Sequence, residues 1–350
     1  MKTLTSRKQH WGGWVDRKPL VPQSNIPPRF QSLNQGFNSV FQPHRLSIGI
    51  VAPIENYSAN AEPTMKHHIE RVQLAESLNF SAIWLRDIPF NVPTFGDAGQ
   101  LFDPFVYLGL LAGQTEKITL GVASIVLPLR HPAHVAKSAA SADVLSNGRL
   151  LLGVASGDRP EEYPALNLPF SDRGVRFRQS YEYIRHMAEN HPAFENVYGS
   201  PNGLMDMLPK PVSSKLPILI TGASQQHPDW LAENGDGWIT YPRDVSVQAQ
   251  IISDWRKRTQ QAGLPIKPAV QSLYVDLVND PNAPPTPIHL GFRSGVNALR
   301  NYLKSLEEIG INHVALNLRF NQQCVESTLK RLADDVLPDF TIHDEKKERK

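Results

Sequence analysis

The stretch from Thr119 to Asp158 constrains this chain more than any other part of it. It opens on Thr119-Leu120-Gly121-Val122-Ala123-Ser124-Ile125-Val126, a mostly apolar run with several β-branched residues, which suits a strand buried on both faces. Two small residues, Ala123-Ser124, interrupt the run, and a turn bounded by Pro128 and Pro132 carries Arg130 and His131. Ala133 to Ser146 is rich in Ala, Ser and Val and reads as a packed helix, which Asn147-Gly148-Arg149 stops. Leu150 to Ala155 is a second apolar strand, closing on Ser156-Gly157-Asp158. Strand, helix and strand at this spacing make a parallel βαβ unit.

The same alternation runs through the chain. Further short apolar strands are expected at Leu46 to Ala52, Ser81 to Leu85, Leu216 to Ile220, Gly237 to Thr240, Ala269 to Val278 and His313 to Leu318. Helices are expected between them: from Pro63-Thr64 to Asn79, Asp103 to Gly113, Asp172 to Glu189, Pro228 to Glu233, Val247 to Ala262 and Ser294 to Ile309, with Val325 to Leu337 last. Eight strands alternating with helices predict an α/β fold, a closed (β/α)8 TIM barrel over residues 45–340. An open doubly wound sheet is the alternative, but no strand leads into a GxGxxG turn. Residues 1–44 form an N-terminal extension whose Trp11, Trp14, Phe30, Phe37 and Phe41 make it too aromatic for a disordered tail. It reads as a strap packed on the barrel or on a neighbouring subunit. Pro192, Gly199, Pro201, Gly203, Pro209 and Pro211 mark an insertion before strand five, and residues 341–350 read as a solvated charged tail.

Several function classes are excluded on composition. Lys and Arg exceed Asp and Glu by only two, with no basic patch interleaved with aromatics, so nucleic acid is not an expected partner. No apolar run approaches the ~20 residues of a membrane span, and the N-terminus lacks a secretory apolar segment, so a cytoplasmic protein is expected. Cys324 is the only cysteine, which rules out internal disulfides and thiolate metal clusters. The twelve histidines are scattered and no HExxH occurs, so no metal site is expected.

In a parallel barrel the reactive groups sit where strands end. Strand five ends in Thr221-Gly222-Ala223-Ser224-Gln225-Gln226 before a helix. That is either a phosphate loop, in which Gly222, Ala223 and Ser224 offer backbone amides, or an ordinary turn with a Ser cap. Strand two ends in Trp84-Leu85-Arg86-Asp87, placing a cation and a carboxylate at the barrel mouth. Arg86 and Asp87 are candidate catalytic groups, or else an ion pair that holds the loop. On the helix from Asp172, Arg173, Arg176 and Arg178 read mostly as a solvated or salt-bridged face, with contact of one of them to a phosphate as the alternative.

Ala123-Ser124, His131-Pro132, Leu145-Ser146-Asn147-Gly148-Arg149 and Leu152-Gly153-Val154-Ala155-Ser156-Gly157, in that order, resemble the luciferase-like flavin monooxygenase family. The resemblance covers about Leu46 to Phe340. It implies that Ala123 and Ser124 lie under a flavin ring, at a junction that can carry a non-prolyl cis peptide. It further implies that Gly222, Ala223 and Ser224, with Ser156 and Tyr163, hold the phosphate of flavin mononucleotide (FMN), with a packing aromatic as the alternative for Tyr163. The activity implied is oxidation of a small organic substrate by O2, with reduced FMN supplied by a flavin reductase or by NAD(P)H. A homodimer is implied by analogy. A deazaflavin (F420)-dependent oxidoreductase is the nearest alternative, and a flavin-binding protein without turnover is another. A flavin-free isomerase or aldolase barrel would want a Lys or Glu base at a strand end, where this chain has mostly small or apolar residues. Better-known relatives carry His at the end of strand two, where this chain has Arg86-Asp87.

Overall fold

The computed structural model describes residues 30–340 except 61, 96 and 97, so Trp11, Trp14 and the charged tail lie outside the described residues. Seven parallel strands follow one another around a ring: β1 (Ser47–Val51), β2 (Ala82–Leu85), β3 (Thr119–Val126), β4 (Leu150–Ala155), β5 (Ile218–Thr221), β6 (Gly237–Thr240) and β7 (Ala269–Leu277). After a short hairpin, β8 (Thr286–Ile288) and β9 (Gly291–Ser294), the last strand β10 (His313–Asn317) pairs with both β7 and β1 and closes the barrel. The hairpin was not expected. It adds β9 to the upper half of β7, pairing Tyr274 to Leu277 with Gly291 to Ser294, above the β10 pairing. Its strands are short, and Pro284, Pro285 and Pro287 hide them in the sequence.

The helices are α1 (Gln35–Val40), α2 (His68–Ser77), α3 (Pro104–Gln114), α4 (Pro132–Leu145), α5 (Glu162–Ala165), α6 (Arg173–Met187), α7 (Pro228–Asn234), α8 (Val245–Gln261), α9 (Val296–Glu308) and α10 (Val325–Asp335). Their ends follow local chemistry. Asp103 accepts the N–H groups of Phe105 and Val106 to start α3, with Pro104 in the first position. Asn147 and Gly148, both at positive φ, stop α4. The next residue, Arg149, is buried, and its guanidinium donates to the carbonyls of Ala112, Thr115, Ile118 and Ser146 and to the Thr115 hydroxyl. One side chain thereby ties the ends of α3 and α4 to the starts of β3 and β4.

Strand side chains alternate between two environments, as the period of two requires. Ile48, Ile83, Leu120, Val122, Leu152, Ile218 and Leu316 point outward into the main core against the helices. Val51, Trp84, Leu151, Leu219, Ile239, Val270 and Ala315 point inward, joined from below by Phe37, Val40 and Phe41 of α1 and its end. Residues 30–41 thus close the bottom of the barrel. Gly36 permits this approach: its N–H bonds to Gly148 O, and a Cβ there would lie 2.8 Å from Arg149 O.

The inner layer contains a short polar chain. Trp84 Nε1 donates to His313 Nε2 at 2.7 Å, and His313 Nδ1 lies 2.7 Å from Ser47 Oγ. The indole only donates, so His313 carries its proton on Nδ1 and is neutral. Ser47 Oγ in turn donates to Val40 O. Room for the indole comes from Gly121, where a Cβ would sit 2.4 Å from Trp84 Cε3.

Burial pushes His313 from the usual 6.5 down to about 3. An unfolded chain takes up a proton at this residue below about pH 6.5 and the folded chain does not, so stability drains away as pH falls. Between pH 7 and pH 4 this one group should cost roughly 3 kcal/mol. Urea melts of the wild-type protein and His313→Gln across that range check it. The variant should show a shallower acid decline, and an identical decline would contradict the account.

Candidate functional site

A cavity of about 630 Å3 opens over this inner layer at the C-terminal ends of the strands. Trp84, Ile239, Val270 and Ala315 form its floor, and Ala123, Ser124, Ala155, Ser156 and Thr221 its lower wall. Of the residues expected at the site, Arg86, Asp87, Ala123, Ser124, Ser156, Gly222, Ala223 and Ser224 all line it. A smaller cavity of about 280 Å3 lies outside the barrel, between α4, α6 and the segment before β5, and holds none of them.

The Ala123–Ser124 peptide is cis, at the point where the β3–β4 register shifts between Val122 and Ile125. Ser124 Oγ is hydrogen-bonded to Thr221 Oγ1, linking the ends of β3 and β5.

Beyond Thr221 the chain turns sharply, with Gly222, Ser224 and Gln225 at φ of 55°, 43° and 59°. Gly222 N–H bonds to Ile239 O and Gly222 O accepts from Trp238 Nε1, which fixes the turn to β6. The Ser224 hydroxyl donates back to Thr221 O, so its backbone amide is the group it offers to the cavity. Among the described residues the amides of Ala223, Ser224 and Gln225 make no internal hydrogen bond. Successive free amides in a turn of this kind form a concavity suited to an anion. The helix itself starts later, at Pro228, with His227 Nδ1 accepting from Asp229 N. The donor set is therefore the turn rather than the helix start.

Of Arg173, Arg176 and Arg178, one reaches the cavity. Arg176 is paired with Asp172, and Arg178 donates to Gln226 Oε1. Arg173 lines the cavity, its guanidinium 3.7 Å from the centre of the Phe170 ring and its buried Nε without a hydrogen-bond partner. Gly174 brings α6 close: a Cβ there would lie 2.7 Å from Gln225 Cβ.

Tyr163 does not line the cavity. It is fully buried, its hydroxyl donates to Ser156 O, and its ring packs edge-on against Phe170 at 5.1 Å. Burial pushes its ionisation up. It braces the Ser156-Gly157 turn, where a Cβ on Gly157 would lie 2.9 Å from the Tyr163 oxygen. Its hydroxyl is spent on that carbonyl, so the expectation that it bonds a phosphate gives way to a structural role.

Asp87 also differs from expectation. Its ion-pair partner is Arg130, not Arg86. Arg130 Nη2 meets Asp87 Oδ1 at 2.7 Å and Nε meets Oδ2 at 3.0 Å, while Val126 N–H donates to Oδ2. Arg130 also holds Asp103 at 2.8 Å. Burial opposes ionisation of Asp103, but Arg130 more than offsets it and lowers the carboxyl below the usual range. The two carboxylates hold Arg130 charged against its own burial. A carboxylate with both oxygens committed to a guanidinium and an amide braces the loop. Arg86 faces the cavity, and its carbonyl accepts from Gln100 Nε2.

Several cavity groups had no sequence signal. Arg159 stacks on Phe95 at 4.4 Å. Glu162 at the start of α5 is 2% exposed and lines the cavity. Burial pushes its carboxyl up to about 7, against the attraction of Arg159, with Asp87 and Asp158 adding to the rise. His289, at the tip of the unexpected hairpin, packs with Tyr274 and Phe320 to form one rim of the mouth. Among the described residues no cluster of His, Cys, Asp and Glu is arranged to hold a metal, and no helix is long and apolar enough to cross a membrane.

The chain belongs to the luciferase-like monooxygenase family, whose sequence model matches residues 46–280. It is 32% identical over 211 residues to an uncharacterized protein of Mycobacterium tuberculosis, covering 55% of this chain and 74% of that one. The fold is similar to that of an F420-dependent secondary alcohol dehydrogenase bound to an F420-acetone adduct, with a TM-score of 0.70 and 16% identity over 85% of this chain and 100% of that one. It is also similar to the oxygenating constituent of 3,6-diketocamphane monooxygenase from Pseudomonas putida in complex with FMN. There the TM-score is 0.67 and the identity 13%, over 85% and 100% of the two chains.

Replacing Asp87 by Asn should leave Arg130 short of one charge partner and cost ~3 kcal/mol of stability, the scale for breaking a buried pair. A denaturant melt of the ligand-free protein measures it. Wild-type stability in Asp87→Asn would contradict the bracing role.

Proposed function

We propose that this protein is a flavin-dependent oxidoreductase, a monooxygenase that uses reduced FMN and O2 to oxidise a small organic substrate. The observation that carries the reading is one cavity that joins a flat, small-residue wall at Ala123–Ser124 to an amide-rich turn beside Arg173. The wall leaves space for a planar ring, and the turn and Arg173 offer donors to a dianion. Arg173 Nε, buried without a partner, fits a ligand that supplies an acceptor. When bound, the flavin would supply the redox chemistry. The protein would orient the ring, shield it from water and hold the phosphate. Trp84, Ile239 and Val270 make the floor apolar, which favours exclusion of water. Tyr274, His289 and Leu290 line the open side, where a substrate would meet the ring.

The reduced flavin would come from a partner flavin reductase or from direct reduction by NAD(P)H, in the cytoplasm. A second copy of the chain is the other partner we propose. The exposed side of α3 is apolar, with Val106 73% exposed and Leu110 45%. Gly109 and Gly113 on the same helix have open space in front of them. Sedimentation equilibrium should give twice the 39.1 kDa chain mass, and Val106→Glu should halve it. A wild-type monomer would remove the dimer.

A deazaflavin remains the alternative cofactor, supported by the F420-dependent relative in fold. The absorption spectrum and mass of cofactor extracted from the purified protein separate the two. For FMN itself the test is phosphate dependence. Each charge-assisted bond to phosphate contributes about 1.5–3 kcal/mol, so FMN should bind at least ~10-fold more tightly than riboflavin. Ser224→Glu should remove most of that difference while leaving riboflavin binding nearly unchanged. Equal affinities of the wild-type protein for the two flavins would sink the phosphate assignment.

A further inference from the structure

Glu162 is a carboxyl that the proposed flavin chemistry leaves unused. It is 2% exposed, its Oε1 is buried with no hydrogen-bond partner, and it lies in the cavity wall. The carboxyl also accepts the backbone N–H of Phe90, from the loop after β2. Arg159 and Asp158 face it from its own loop, and Asp87 faces it from the end of β2. Asp87 is itself paired with Arg130, and among the described groups facing Glu162 the cation is Arg159. A buried acceptor without a donor is destabilising. Such a group, lining a ligand cavity rather than sealed in the core, fits a donor that arrives with the ligand.

We infer that Glu162 is a ligand-binding, proton-exchanging carboxyl of this cavity, whose Oε1 accepts a hydrogen bond from an N–H or O–H group of the bound ring or substrate. The inference rests on the flavin reading, because the pyrimidine edge of a flavin or deazaflavin ring carries such an N–H. The proton balance is simple. In the ligand-free protein the carboxyl is raised to about 7, so it is partly protonated at neutral pH. An arriving donor stabilises the carboxylate, and the displaced proton leaves to solvent. Ligand binding near pH 7 is therefore coupled to proton release, and substitution by Gln abolishes the coupling.

Calorimetric titration in buffers of different ionisation enthalpy counts the protons. Riboflavin is the first probe, since it has no phosphate to titrate; FMN and F420 follow. At pH 7 the wild-type protein should release about half a proton per riboflavin, falling toward zero by pH 8.5. Glu162→Gln should release close to none at either pH. Folding of the variant is checked by the melting temperature without ligand. The raised carboxyl of the wild type favours folding below its unfolded value near 4.5 and loses that contribution as pH rises through about 7. Glu162→Gln should therefore melt above the wild type at pH 8 and level with it at pH 4.5. Proton uptake, or release unchanged in Glu162→Gln, overturns the inference. Binding of none of the three ring compounds overturns the flavin reading and the role of Glu162 together.

Discussion

The site depends on how side-chain volume is distributed inside the barrel. The lower interior is filled by Trp84, His313, Leu151, Leu219 and the α1 aromatics Phe37 and Phe41. The upper interior has Ala123, Ala155, Ser272, Ala315 and Asn317 instead. Large residues below and small residues above turn a packed core into a floor with a cavity over it. Trp84 joins the two regions. It fits because Gly121 has no side chain, and a neutral His313 anchors its indole nitrogen. Filling the upper layer would erase the cavity, and loosening the lower one would tilt its floor.

The loops at the two ends of the barrel are held by ion pairs with one well-buried partner each. Asp87, with Arg130 and Asp103, fastens the β2 loop to the end of β3 and the start of α3. Asp236 takes Arg185 of α6, Lys215 and the N–H of Ile218, which fixes the approach to β5. Asp276 takes Arg293 and so fastens the β8–β9 hairpin to β7. Each aspartate is nearly buried and also accepts, or sits beside, main-chain N–H groups, so its cost of burial is offset by several donors. The cavity walls thus rest on fixed charges, while Glu162 is left with an unpaired oxygen.

The barrel was largely legible in the sequence because its signals are local. β4 and β6 have the expected bounds, being short apolar runs flanked by Gly, Asn or Asp. α4 starts and stops where His131-Pro132 and Asn147-Gly148 require. The misses are long-range. Helix α2 starts at His68 rather than Pro63, since Glu55 takes the N–H groups of Thr64 and Met65 and holds that segment in a turn. The pairing of Asp87 with Arg130, the commitment of the Tyr163 hydroxyl to Ser156 and the burial of Glu162 depend on loops meeting in space, which no periodicity encodes. The small residues at strand ends marked the cavity, but the groups that line its mouth did not announce themselves.

The central claim is that one cofactor spans the Ala123–Ser124 wall and the 222–225 turn. A crystal structure of the protein grown with FMN tests it most directly. The account predicts density for the ring against Ala123–Ser124 above Trp84, with the phosphate on the amides of Ala223, Ser224 and Gln225 and within reach of Arg173. A ring bound outside this cavity, or a phosphate held by a different set of groups, would contradict it.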